Sequence, residues 1–360
     1  MSGPAFAPAR CSADCLVCDR RLETCATFLM RIGIITPAPP RSRYGNRVTA
    51  LRWARILRNL GHRIRIAQEY DGKRYDLLVA LHARRSHEAI KQFHERHPQS
   101  PIIVALTGTD LYRDLQTNRS AQESLNLATR IVALQPKALD ELAPALRDKA
   151  VVIYQSVETR RGVRPSTHFS FAMRDGRPRH FYVCVIGHLR PVKDPFRAAI
   201  AARRLPTSSR IRILHIGGAM TKALARRART EMKRNERYRW LGEQPRWRAR
   251  RILSRSQLAV LSSRIEGGAN VLSESLVASV PVLASRIPGN EGLLREEYPG
   301  YFAVGDTRGL ARLLKRAETD AAFHAYLSTR CRKLARLFDP MREEEAWANL
   351  LNGLAQKERT

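Results

Sequence analysis

The sequence predicts an α/β protein of two doubly wound domains facing a central cleft, and three observations carry that prediction. From Arg31 onward, short apolar runs alternate with amphipathic ones. The apolar runs, such as "YDLLVAL" and "PIIVALTG", are mostly continuous, as in a parallel sheet covered on both faces. The pattern also runs once to about residue 157 and then restarts at "FYVCVIG" after a polar stretch. A chain of 360 residues is long enough to bury two cores.

In order, "RIGIIT" reads as a strand and "GNRVTALRWARILRNLG" as a helix. Val48, Leu51, Ala54, Leu57 and Leu60 predict its buried face, with Gly61 as its stop. "HRIRIA", "YDLLVAL", "PIIVALTG" and "RIVALQ" are further strands; "PKALDELAPAL" predicts a helix and "VVIYQS" the last strand of a first domain over 30–157. Residues 158–178 are polar without clear periodicity and predict the crossing between domains. The second domain, 179–336, takes strands from "FYVCVIG", "IRILHIGG", "RWLG", "QLAVLSS", "PVLAS" and "YFAVG", with helices in the gaps. Two helices over roughly 319–336 and 341–356 close the chain, and the segment 337–360 is expected to pack back on the first domain.

Composition narrows the function. An apolar content of 44% argues against general disorder. No stretch approaches the roughly 20 apolar residues of a membrane-spanning helix, and "TFLMRIGIIT" is too short and carries Arg31, so a cytoplasmic location is expected. The formal charge of +31 is mostly arginine spread from end to end. No helix-turn-helix, zinc-finger or RNA-recognition signature accompanies it, so no specific nucleic-acid partner is expected. Cys11, Cys15 and Cys18 have the C-x3-C-x2-C spacing that can hold an iron–sulfur cluster or zinc. The segment is short and rich in Pro and Ala, and no barrel pattern follows. Residues 1–29 are therefore expected to be a disordered extension or a mis-assigned start, with Met30 heading the fold.

The stretch "SSRIEGGANVLSES" (262–275) carries the most chemistry. It follows the strand "QLAVL" and opens a helix near Gly268–Asn270. The first N–H groups of a helix lack intrahelical partners and carry the positive end of its dipole. Glycines let an anion approach them, so the turn Gly267, Gly268, Ala269, Asn270, Val271, Leu272 predicts a phosphate site. Glu266 and Glu274 would repel phosphate and suit sugar hydroxyls on either side of it, as a nucleotide sugar would require. Arg190 and Lys193 of "GHLRPVKDP", with Gly187 at its head, supply positive charge from the neighbouring strand end.

"GHLRPVKDP" followed by "SSRIEGGANVLSESLVASVPVLASRIPG" resembles the carboxyl half of retaining-type, family-4 glycosyltransferases of the GT-B fold. The resemblance implies that Arg190 and Lys193 bind the donor diphosphate and stabilise the leaving nucleotide. It assigns Glu266 to the donor sugar and Glu274 to the ribose. Leu241, Gly242 and Glu243 of "RWLGEQ" would border the base. Gly268 stands where relatives commonly have an aromatic, and Asn270 where an aliphatic is usual, which implies a specialised sugar pocket. No D-x-D occurs in the chain, in keeping with the metal independence typical of that fold. Neither metal nor cofactor is expected.

The acceptor is expected in the amino half. "TPAPPRSRYGNRV" groups Arg41, Arg43 and Arg47 around Tyr44, Gly45 and Asn46, either as a Pro-stiffened loop with a helix start or as a second anion site. "LTGTDLYRDL" adds Thr107, Gly108, Thr109 and Asp110, the last alternatively a helix N-cap. These stretches together closely resemble the selenosugar synthases of selenoneine biosynthesis. That resemblance implies selenophosphate as acceptor and a UDP-sugar, usually UDP-N-acetylglucosamine, as donor. Selenium in this state is already a good nucleophile, so His62, His82, His87 and His188 read as structural or solvated. A downstream enzyme of that pathway is an implied partner. Two other readings stay open: transfer to a lipid or polysaccharide hydroxyl with weak contact to an anionic membrane, and a non-enzymatic polyanion-binding module.

Overall fold

A computed structural model describes residues 29–158, 173–174, 177–178 and 180–357. Residues 1–28 of the expected extension and most of the expected crossing at 158–178 lie outside the described residues. The first lobe is a parallel sheet of β1 (Arg31–Ile35), β2 (Arg63–Ala67), β3 (Leu77–Leu81), β4 (Ile102–Ala105), β5 (Arg130–Ala133) and β6 (Ala150–Val152), in the order β2-β1-β3-β4-β5-β6. After a short hairpin of β7 (Met173–Arg174) and β8 (Arg177–Pro178) comes the second lobe. Its parallel sheet holds β9 (Phe181–Ile186), β10 (Ile211–Ile216), β11 (Tyr238–Trp240), β12 (Leu258–Leu261), β13 (Val282–Ser285) and β14 (Tyr301–Phe302), ordered β11-β10-β9-β12-β13-β14. Each sheet reverses its winding once, between β1 and β3 and between β9 and β12. Loops leaving the carboxyl ends of strands at such points bind ligands.

The helices are α1 (Gly45–Asn59), α2 (His87–Arg96), α3 (Arg119–Leu127), α4 (Pro144–Arg147), α5 (Arg197–Ala202), α6 (Lys222–Arg234), α7 (Arg246–Arg255), α8 (Asn270–Val277), α9 (Pro288–Leu294), α10 (Thr307–Thr319), α11 (Ala321–Leu334) and α12 (Pro340–Lys357). Two differ from expectation. The single helix predicted over "PKALDELAPAL" is a 3-10 turn at Pro136–Ala138 and the one-turn α4. Pro144 cannot donate the backbone N–H an uninterrupted helix would need there. The predicted face of α1 is also rotated: Ala50, Trp53, Ala54 and Leu57 are buried, while Leu51 is 49% exposed on the cleft wall. Arg52 is buried next to Trp53, which no apolar periodicity would indicate.

The last helix belongs to the first lobe. Trp347, Leu350, Leu351 and Leu354 of α12 pack in the cluster that holds Ile32, Trp53 and Leu57. Trp347 meets Trp53 edge-on at 4.9 Å. The chain thus crosses between lobes twice, and the crossings are joined where Val157 N–H donates to Phe338 O at 3.0 Å. Among the described residues, no helix is long and apolar enough to cross a membrane.

Candidate active site

Between the lobes lies a cleft of about 810 Å³ lined from both sides. On the second lobe, the loop after β9 and the loop after β12 form one unit. Ser262 Oγ–H reaches Lys193 O (3.2 Å) and Asp194 O (2.9 Å), and Arg264 N–H donates to Val192 O at 2.8 Å. Lys193 donates to Glu266 Oε1, which also accepts the Ser263 hydroxyl. Arg190 is exposed on the same wall. The helix predicted after "LAVLSS" begins at Asn270, and Gly268, Ala269, Asn270 and Val271 line the cleft at its positive end.

Beneath that loop, His215 is 1% exposed between Tyr238 OH (2.9 Å from Nδ1) and Gly187 O (3.1 Å from Nε2). A carbonyl only accepts, so Nε2 carries the proton and Nδ1 accepts from Tyr238. Burial holds its pKa down to about 4, leaving the ring neutral.

Other predicted donor residues are placed differently. Leu272 is in the core. Gly267 is buried against the first lobe: a Cβ there would lie 2.5 Å from Thr107 C and 2.6 Å from Gly108 N. Gly108 (φ +130°) meets Gly267 N as closely from the other side, so the lobes touch backbone to backbone. Glu243 faces the cleft, and Leu241 and Gly242 are not part of its lining. Glu274 is 8% exposed and accepts both Nε (3.0 Å) and Nη2 (2.9 Å) of Arg246 on one oxygen.

On the first lobe, Arg43, Tyr44, Gly45, Asn46, Thr107, Gly108 and Thr109 all line the cleft. Two of them reach across it: Arg43 Nε lies 3.8 Å from Glu243 Oε1, and the Tyr44 ring meets His188 edge-on at 5.5 Å. Arg41 and Arg47 are outside the lining. Asp110 is fully buried and outside it too. Its oxygens accept from the N–H groups of Thr107 (2.9 Å), Gly108 (2.8 Å) and Ala83 (3.1 Å), so it braces two loops instead of facing a ligand.

Sequence reasoning missed Arg52, Arg55, Arg85 and Arg113 on this wall, which His82, expected to be structural or solvated, also lines. His82 and Arg85 follow β3, beside the reversal of winding, and that position is the signal that could have found them. His82 Nε2 is 3.0 Å from Thr109 Oγ1, and burial lowers its pKa. Among the described residues, nine cationic side chains and four carboxylates line the cleft.

Residues 173–335 match the family described as "Glycosyl transferases group 1". The matched segment, less than half of the chain, is similar to that family. A curated relative, "Glycosyltransferase 1 domain-containing protein 1" of Xenopus tropicalis, is 25% identical over 236 residues. The match takes in 61% of this chain and spans 66% of that relative, just under two thirds of its length. Among solved structures, Anabaena HepE in complex with UDP and glucose superposes with a TM-score of 0.69 at 14% identity, covering 90% of this chain and all of that one. Sucrose-phosphate synthase of Thermosynechococcus elongatus gives 0.70 at 13% identity, covering 91% of this chain and 100% of that protein. At these identities the structural likeness speaks for the fold, the two-lobed GT-B architecture.

Proposed function

We propose that the chain is a glycosyltransferase that moves a hexosyl group from a UDP-sugar, UDP-N-acetylglucosamine in the first instance, to selenophosphate. The observation that carries this reading is the excess of cations over carboxylates among the described residues on the walls of the interlobe cleft, nine against four. Both substrates are polyanions, and a cleft with low-dielectric walls concentrates such a field. The second lobe would hold the donor: Arg190, Lys193 and the first N–H groups of α8 at the diphosphate, Glu266 at the hexose, Glu274 at the ribose and Glu243 near the base. The UDP in the Anabaena HepE complex supports the nucleotide assignment. The first lobe would hold the acceptor, with Arg43, Arg85 and the hydroxyls of Thr107 and Thr109 as its donors.

In the transfer, a selenium lone pair attacks the anomeric carbon and forms a C–Se bond. The bond from that carbon to the β-phosphate oxygen breaks, and its electron pair leaves with UDP. Arg190, Lys193 and the helix dipole take up the charge that develops there. No proton need be removed from selenium, so the site requires no strong base. Hydrolysis of the Se–P bond by water would then release inorganic phosphate and leave the selenosugar as a selenol.

The test is incubation of the purified full chain with UDP-N-acetylglucosamine and selenophosphate, followed by mass spectrometry. The expected result is UDP with a selenium-bearing sugar. UDP release only with a hydroxyl acceptor would move the reading to conventional transfer. Absence of any binding of UDP or its sugar esters would overturn the donor assignment.

A further inference from the structure

Asn270, the first residue of α8, is gripped by the opposite lobe. Arg52 Nη1 donates to its Oδ1 at 3.0 Å. The Gln155 amide is satisfied with its nitrogen donating to the same Oδ1 and to Gly268 O, both 3.2 Å away. Its oxygen then accepts from Arg52 Nη2 (3.0 Å) and Thr49 Oγ1 (2.7 Å). An amide oxygen has two lone pairs, and the first lobe occupies both. The side-chain oxygen of Asn270 is therefore not available to a sugar.

The donors are themselves fixed at the two chain crossings. Arg52 Nε donates to Glu343 Oε1 of α12 at 3.2 Å, and its Nη1 to Ser156 O at 3.3 Å. Glu343, with its side chain out of solvent, also accepts from Trp53 Nε1 and Ser156 N, both at 2.8 Å, and from Ser156 Oγ–H. Ser156 lies on the outward crossing and Glu343 just past the return. Asn270 thus ties the first turn of α8 to the hinge between the lobes.

We infer that Asn270 is a positioning residue: through Arg52 and Gln155 it locks the start of α8 to the interlobe hinge, so that the amides offered to the donor diphosphate are ordered by the first lobe. The inference rests on the reading of α8 as the donor-phosphate helix. A valine at this position would break this link while leaving the Arg52–Glu343 pair intact, which makes Asn270→Val a test of coupling rather than of a buried ion pair.

Hydrogen exchange of the ligand-free full chain, read by mass spectrometry, supplies the measurement. In Asn270→Val the amides of 268–274 should exchange about tenfold faster, since two buried donors lose their acceptor. Asn270→Asp keeps an acceptor for Arg52 and should retain wild-type exchange there, yet its added negative charge should weaken UDP binding by calorimetry. Unchanged exchange in the valine variant, or equal loosening in both variants, would overturn the coupling. If the valine variant does not fold, Asn270→Ser, whose oxygen falls short of Arg52, should show the same faster exchange. Wild-type protein that binds no UDP while the valine variant loosens α8 would sink the donor reading and leave the coupling standing.

Discussion

Lys193 and Glu266 hold one another on the cleft wall, the ammonium donating to the same carboxylate oxygen that accepts the Ser263 hydroxyl. The cation read as a diphosphate ligand and the carboxylate read as a sugar ligand are therefore one electrostatic unit. Removing the negative partner should have opposite effects on the two. Glu266→Gln is expected to bind UDP at least as tightly as wild type, because Lys193 is released to the phosphates. Its turnover should fall about 100-fold, because the sugar is no longer held in its reactive pose. Calorimetry with UDP beside steady-state kinetics checks the split; parallel losses in both would contradict it.

Arg190 is exposed and lines the cleft without a carboxylate partner among the described ion pairs. Arg190→Ala should weaken UDP and UDP-sugar alike, by about tenfold at low salt. The difference from wild type should shrink as ionic strength rises, which titrations at two salt concentrations would read.

His215 predicts a pH dependence of stability. Its folded pKa of about 4 lies below the ordinary 6.5, so the unfolded chain takes up its proton first as pH falls. The stability that His215 contributes is present above pH 6.5 and is lost as pH drops toward 4, with a slope approaching about 1.4 kcal/mol per pH unit. Urea midpoints across that range should show this slope in wild type. In His215→Gln, which cannot titrate, the slope should be correspondingly smaller.

Gly267→Ala should wedge the lobes apart, since its new methyl would meet backbone atoms of Thr107 and Gly108. A melting temperature several degrees lower and at least about a tenfold loss of transfer are expected. Gly353→Ala in α12 is the control. A Cβ there has nothing within 4 Å, and an alanine in a helix interior should be neutral or slightly stabilising.

Much of this molecule was legible in its sequence, and the illegible part has a common cause. Continuous apolar runs such as Leu77–Leu81 and Leu258–Leu261 are short-range signals, and each is a fully buried strand. The loop bearing Arg190 and Lys193 and the loop bearing Glu266 announce themselves by local composition, and they meet. What escaped depends on partners far away in the chain. Arg52 reads as a solvated helix residue until Glu343, 291 positions on, is placed beside it. Asn270 reads as part of a sugar pocket until Arg52 takes its oxygen. Asp110 looks like a ligand or a helix cap, and Ala83 N–H from another strand end makes it a brace. Gly267 carries no mark in its own neighbourhood of the backbone that will press on it.

The position of α12 has a consequence for biosynthesis. The helix Pro340–Lys357 packs on Trp53 of α1, in the same apolar cluster as Ile32 and Ile34 of β1, which are among the earlier parts of the fold to be made. A nascent chain that folds in order of synthesis would therefore carry its amino-terminal half with an uncovered indole and a bare apolar flank while the other half is translated. The first half can finish only after α12 has been made. Premature release anywhere upstream of Trp347 would leave the earlier half, rather than the later one, prone to aggregate.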